Sequence, residues 1–365
     1  MTGATTGRRL ARRLGRRFAL PGITAIGVKE LRGRMRGKRA FVSVTVYVLL
    51  VAGFAWMVGQ ILENNARNQF AFDPTYQAAS IGRGIFVALM LLQTLMISVL
   101  APASTAGTIS GERERQTLDL LAVTPISSVA IVVGKLLSAL TWVFVLILAS
   151  IPVTTLVFVY GGVAPDDVVR GYMVLFVTAV AFGALGIFFS ALVRRSGAAT
   201  GLTFVAVLIA TVGLTFGWVF LRATTSNVFT SRPPEALLYL NPFVAQADVA
   251  CGTEGNTGGW CSIIDEVTGS NAIINPAVEP LMRDGGVIEG PAPMPAVAGG
   301  VAFDVAPPEI LTAQRDRYWP RSVLAFLFLA VAFAAAAVQL VTPTRRWRPA
   351  LPGVFRRSGP QRSET

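Results

Sequence analysis

The residues in this chain that could do chemistry are few, and they gather in two places. Histidine is absent, which removes imidazole general acid–base catalysis, His-ligated zinc and any Ser-His-Asp triad. A G-x-x-x-x-G-K-[ST] phosphate loop is also missing: VVGKLLS at 132–138 has the Gly-Lys pair but neither the first glycine nor the following Ser/Thr. The chain is therefore not expected to hold ATP in the usual cradle. Lys135 reads instead as a lysine snorkelling from the end of an apolar helix. The first gathering is SGERERQTLDLLAVTP, residues 110–125, with five charges in eight residues: Glu112, Arg113, Glu114, Arg115 and Asp119. The second is the cysteine pair, Cys251 and Cys261, in CGTEGNTGGWC.

The charged stretch has helical spacing. Glu112, Arg115 and Asp119 fall at i, i+3 and i+7, so opposite charges meet on one face. Leu118, Leu121 and Ala122 form a stripe on another. Glu112 and Glu114 suit a helix N-terminus. Thr124-Pro125 then stops the run, because the residue before proline avoids the helical region. With Thr124 as N-cap and Pro125 at N1, a new helix starts there. The spacing predicts a short amphipathic helix over 111–123, set at an angle to its neighbours. Such an element is a handle: a push on its surface passes to two flanking helices at once.

The elements that must carry this handle are membrane spans. The 365 residues are 53% hydrophobic and only 14% charged, with mean hydropathy +0.58; soluble domains carry about 25% charged residues. A span needs roughly 20 apolar residues, and six stretches qualify, at about 40–62, 85–109, 129–160, 172–193, 198–221 and 322–342. The net charge of +12 is not a nucleic-acid signal, because the basic residues flank the spans. Residues 1–39 hold twelve Lys/Arg against Glu30, and residues 343–365 hold six Arg against Glu364. With the N-terminus inside, the cytoplasmic segments and Lys135 account for 23 of the 32 Lys/Arg, as the positive-inside rule requires. Both termini are then expected in the cytoplasm.

Residues 8–20 repeat Leu10, Leu14 and Phe18 with arginines opposite, the pattern of an amphipathic helix lying on a membrane. A disordered basic arm is the alternative. A cleavable signal peptide is not expected, because about 39 residues precede the first apolar run. The first 29 residues are also Arg-rich and lack acids, as organellar transit peptides do. The span interiors offer Gln60, Gln93, Gln339 and scattered Ser/Thr but no mid-span charge, which argues against an ion-coupled carrier. Gly197/Gly201 and Gly213/Gly217 form two G-x-x-x-G pairs that differ in direction by about 160°, so each suits a different neighbour.

The long non-membrane piece, 222–321, falls outside by this topology. Its composition assigns no fold to it. Cys251 and Cys261 have nine residues between them, in a Gly/Asn-rich turn. In an oxidising exterior a disulfide is the natural reading, and two free thiols are the alternative. The bond would order a short loop by about 2–3 kcal/mol. Two ligands without histidine do not make a metal site.

Residues 109–140, ISGERERQTLDLLAVTPISSVAIVVGKLLSAL, resemble the signature of the type 2 ABC exporter permeases. Glu112, Arg113, Glu114, Thr117, Leu118, Leu121, Thr124, Pro125, Gly134 and Lys135 match its pattern, while Gln116 stands where the family often has glycine. KELRGRMRGKRAF (29–41) is similar to the family's connecting helix. LNPFVAQADV (240–249), with Asn241, Pro242 and Phe243, is similar to its stretch outside the fifth span, where short re-entrant helices precede the sixth.

The resemblance implies an all-α integral membrane protein with six transmembrane helices. An N-terminal connecting helix, a cytoplasmic coupling helix and a large extracytoplasmic loop between helices 5 and 6 complete it. The implied domains are 1–39 basic connecting helix, 40–221 helices 1–5 with the coupling helix at 111–123, 222–321 outer loop, 322–342 helix 6 and 343–365 basic tail. The function implied is that of a permease subunit, not itself an enzyme. It moves a substrate with ATP hydrolysed by a separate ATPase, as a homodimer or heterodimer in a lipid bilayer, the bacterial plasma membrane. ATP and magnesium belong to the ATPase, and no nucleic acid is implied. Near Gln116–Ala122 the chain would meet the ATPase. The outer segment is longer than usual for the family, which leaves the substrate open. The competing reading is a membrane scaffold whose outer loop binds a partner protein.

Overall fold

In a computed structural model of the chain, the structure describes residues 38–67, 74–116, 128–224, 234–251 and 318–341. Among these residues every regular element is helical. The long ones are α1 (Lys38–Arg67), α2 (Pro74–Thr105), α4 (Ser128–Thr155), α5 (Pro165–Leu192) and α9 (Tyr318–Val341). A further long helix is interrupted: α6 (Ser196–Leu208) passes through a π-helical turn (Ile209–Gly213) into α7 (Leu214–Thr224). Six helices are long and apolar enough to cross a membrane, and they fall on the six expected stretches. Two short α-helices sit between them among the described residues, α3 (Ser110–Glu114) and α8 (Pro242–Cys251). The expected helix over 8–20, the connecting segment up to residue 37, residues 252–317 and the tail from 342 lie outside the described residues.

Spans pack in lipid without a hydrophobic drive between them, so small residues and interhelical hydrogen bonds decide which helices meet. α5 is the central helix because its sequence carries both. α2, α9 and α8 pack along it. Its Ala179, Ala181, Ala184 and Ile187 are fully buried. At Gly186 an added Cβ would strike Thr105 Oγ1 of α2, with Ala106 N and Pro102 O both 3.2 Å away. At Gly183 it would meet Leu140 of α4 at 2.8 Å. Glycine here shortens the distance between spans. By contrast, α1 and α6–α7 leave large side chains outward, among them Trp56 (71% exposed) and Phe216 (71% exposed).

The polar groups inside the bundle are shared between helices. Gln93 of α2 donates from Nε2 to Thr154 Oγ1 at 3.2 Å and accepts at Oε1 from Ser150 Oγ at 3.2 Å. Tyr172 of α5 places its hydroxyl 2.8 Å from Thr154 Oγ1 and 3.1 Å from Ser150 Oγ. All of these lie where no water can substitute, so three helices are joined by one network. Gln93 was legible as a polar residue inside a span; the tyrosine that shares Ser150 and Thr154 with it was not.

One end of the bundle is joined by the turn between α4 and α5. Gly161 and Gly162 have φ of 82° and 76°, the left-handed region that glycine adopts without cost. Gly162 lies so close to Ala79 that a Cβ would strike the Ala79 carbonyl. Arg83 donates from Nε to Gly162 O at 3.2 Å, and Tyr160 donates its hydroxyl to Glu63 Oε1 at 2.9 Å. Arg83 therefore lies inside α2, which starts eleven residues before the expected 85.

Candidate functional site

The charged triplet Glu112-Arg113-Glu114 occupies α3, at the opposite end of the bundle from Gly161. Span α2 ends at Thr105, a turn follows, and α3 begins at Ser110. The first residues of α3 have no side-chain cap of their own. Ser190 Oγ of α5 supplies it, accepting from Ile109 N at 2.9 Å and Ser110 N at 3.0 Å. The end of one span thus fixes the start of this helix.

Each charge of the triplet then goes to a different span. Glu112 Oε1 receives Lys135 Nζ of α4 at 2.5 Å, with the lysine side chain 3% exposed. Arg113 donates from NH1 to Ala191 O, 3.3 Å away, in the last turn of α5. Carbonyls there have no intrahelical partner, and a cation is favoured by the helix dipole. Glu114 does the converse. Its Oε1 accepts from Ser196 N at 2.8 Å and its Oε2 from Ser196 Oγ at 2.9 Å, at the start of α6. The N-cap of α6 is Arg195, which makes no capping bond, so the missing acceptor comes from Glu114. These bonds, the backbone one foremost, hold the Glu114 carboxyl below the usual carboxylate pKa.

Two expectations change at this point. Lys135 does not snorkel alone: it is buried and ion-paired with Glu112, because a lone ammonium at that depth is costly and a carboxylate 23 residues away is within reach. Nor does one helix run from 111 to 123. α3 ends at Glu114, Arg115 has ψ near 0, and Gln116 has φ 58°. Gln116 N donates to Arg113 O at 3.2 Å and Arg115 N to Gly111 O at 3.1 Å, a left-handed helix stop. The described helix therefore stops before the i+7 position of the expected charge face is reached. Arg115 and Gln116 are exposed. Thr117, Leu118, Asp119, Leu121, Thr124 and Pro125 lie outside the described residues.

The family model described as ABC-2 family transporter protein matches residues 24–250. The chain belongs to this family. A search of curated proteins finds no match. As an ABC-2 family protein with six apolar helices, the chain is a multi-pass membrane permease of the ABC transporter type.

In this ABC-2 permease the second expected motif, Asn241-Pro242-Phe243, starts α8. Asn241 Oδ1 accepts from Phe243 N at 2.9 Å, an N-cap, and Pro242 takes the first helical position. The Asn241 amide also donates from Nδ2 to Thr211 O at 2.7 Å and Thr215 Oγ1 at 2.5 Å. Thr211 sits in the π-helical turn of the fifth span, where the ordinary ladder is displaced. α8 is almost wholly buried against α2, α5 and α9. Its only acid, Asp248, accepts from Trp319 N at 3.1 Å at the start of α9. The sequence held one signal for this: an acid inside the apolar NPFVAQADVA. Cys251 ends α8, buried and disulfide-bonded; Cys261 lies outside the described residues. Ser190 and Ser196, both essential to the α3 geometry, carried no signal beyond their place at span ends.

Proposed function

We propose that this ABC-2 permease moves a substrate across the membrane using ATP hydrolysed by a separate ATPase subunit, and that the chain beyond Glu114 is where the ATPase pushes. The observation that carries the reading is the junction at α3, where Glu112, Arg113 and Glu114 join the ends of α4, α5 and α6. A solvated linker has no reason to contact three spans. A short element tied to all of them is positioned to pass a displacement into the bundle. The leucine stripe, Leu118 and Leu121, is the proposed buried anchor, and Arg115 belongs to its rim.

The test compares Leu118→Ala/Leu121→Ala with Arg115→Ala at matched expression. Truncating buried anchors costs about 2–4 kcal/mol, whereas exposed charges contribute about 0–1 kcal/mol. ATPase recovered with tagged permease is expected to fall steeply for the leucine pair and little for Arg115→Ala. Wild-type recovery from the leucine pair would remove this stretch as the contact.

Orientation and assembly belong to the same reading. The basic flanks put the α3 end in the cytoplasm and both termini with it. A cysteine at Arg194 should react only from inside, and one at Thr257 only from outside. Two copies of the permease, identical or not, fit the outward apolar faces of α1 and α6–α7. Added Cβ atoms at Gly197, Gly201 and Gly217 meet nothing within 4 Å, so neither glycine pair is used by the described residues of one chain. A cross-link between copies through a cysteine at Gly217 is the expected outcome. Magnesium and ATP are assigned to the partner, and Cys251 is assigned to Cys261.

A further inference from the structure

We propose that Glu112, Arg113 and Glu114 are positioning residues that clamp α3 to the ends of α4, α5 and α6, and that they are not the ATPase-docking charges their surface spacing suggests. The inference rests on the reading that this stretch couples the permease to an ATPase, and it divides that stretch into two parts. Glu112, Arg113 and Glu114 spend their charges on the chain's own spans, and the proposal leaves contact with the partner to the stretch from Arg115 onward.

The geometry supports the division residue by residue. Glu112 and Lys135 form an ion pair whose lysine is buried, so Glu112 cannot also be a free docking charge. Arg113 directs its guanidinium at the last turn of α5 through Ala191 O. Glu114 satisfies both the backbone N–H and the hydroxyl of Ser196. The signs alternate for a reason. Glu114 meets the positive end of α6 and Arg113 the negative end of α5, so each of these two is attracted by the dipole of the helix it touches, while Glu112 is held by the Lys135 ammonium. Reversing any one would oppose the dipole or the ion pair. Ser190 adds a fourth tie by capping α3 itself.

The loop from α5 to α6 is only Val193, Arg194 and Arg195. α5 and α6 are therefore held together twice, by this short link and by the Arg113–Glu114 pair bridging its two sides. A displacement of α3 then carries the ends of both helices with it. The interruption after Glu114, at Gln116 with φ 58°, is the boundary between the clamp and the partner-facing segment.

The experiment uses the tagged permease purified with its ATPase from the native membrane, in lipid nanodiscs. Amide hydrogen exchange of Ser196–Thr224 is compared without nucleotide and after trapping with ATP and vanadate. In the wild-type complex the two states should differ at least about fivefold in exchange rate. With Glu114→Gln or Arg113→Gln, recovery of the ATPase should stay within about twofold of wild type, while the nucleotide-dependent difference falls below about twofold. A merely structural role would raise exchange equally in both states and keep the difference. A tenfold loss of ATPase recovery in either variant would make these residues docking charges and overturn the clamp. So would a variant with the full wild-type difference, or a wild-type complex whose spans ignore nucleotide. If no ATPase accompanies wild-type permease at all, the coupling reading itself fails.

Discussion

The Asn241 side-chain amide reaches 2.7 Å to the backbone carbonyl of Thr211, tying the start of a short buried helix to the π-helical turn of the fifth span. A π turn leaves carbonyls without their usual partner, and in a membrane interior each such group must be met by protein. Asn241 meets one with its amide nitrogen while its oxygen caps α8. One side chain thus satisfies both helices.

Asn241→Asp separates these two jobs. It keeps an acceptor for the Phe243 N–H and removes both donors toward α6–α7. Asn241→Ala removes everything. We expect Asn241→Ala to destabilise the detergent-solubilised permease by about 1–3 kcal/mol and to speed amide exchange around Ile209–Thr215. Asn241→Asp should speed exchange there as much, while leaving the α8 amides protected. Equal protection of the π turn in wild type and Asp variant would show that Thr211 does not depend on Asn241.

Gln116 offers a prediction of opposite sign. A glutamine at φ 58° carries strain that glycine does not, of roughly 1 kcal/mol. Gln116→Gly should therefore stabilise the end of α3, slowing exchange of the Arg115 and Gln116 amides about fivefold, with the reverse for Gln116→Val. Faster exchange in the glycine variant would mean that the stop is held by something other than the left-handed residue.

Much of the frame was legible in the sequence. The six apolar stretches named the six helices, because hydropathy and length are properties of a segment alone. The short helix after Asn241 was legible only through the resemblance of LNPFVAQADV to the family's stretch outside the fifth span. What the sequence could not show were the partners. Glu112 to Lys135, Glu114 to Ser196 and Asp248 to Trp319 are separated by 23, 82 and 71 residues, and no periodicity spans such distances. The i, i+3, i+7 spacing predicted an intrahelical charge face, and a single backbone angle at Gln116 breaks it. Propensity gives no warning there, since glutamine is a good helix former.

The intramembrane network makes Tyr172 testable. Its hydroxyl touches both Ser150 and Thr154, so Tyr172→Phe removes one group and weakens two contacts without opening a cavity. Interhelical hydrogen bonds in membranes average about 0.6 kcal/mol, with a maximum near 1.7 kcal/mol, so a loss of about 1–2 kcal/mol is expected. Gln93→Leu, which strands Ser150 and Thr154 toward an apolar side chain, should cost at least as much. Unfolding by denaturant titration in detergent measures both. A neutral Tyr172→Phe would assign the network to the Gln93 side chain alone.

A tight contact between α2 and α5 gives the last prediction. A Cβ at Gly186 would strike Thr105 Oγ1 and press on Ala106 N and Pro102 O. The hydroxyl can turn aside, but it would lose its own bonds to Ala101 O and Pro102 O, and the backbone atoms cannot turn. Gly186→Ala is therefore expected to destabilise by about 1–3 kcal/mol, the range for overpacking a tight interior. Thr105→Ala removes the nearest obstacle, so the double variant should recover part of that loss, with a coupling energy of about 0.5–2 kcal/mol. Gly217→Ala serves as the control, because a Cβ there meets nothing within 4 Å, and its effect on one chain should stay within about 0.5 kcal/mol. Additive effects of Gly186→Ala and Thr105→Ala would mean that α2 and α5 are not held at the separation this contact requires.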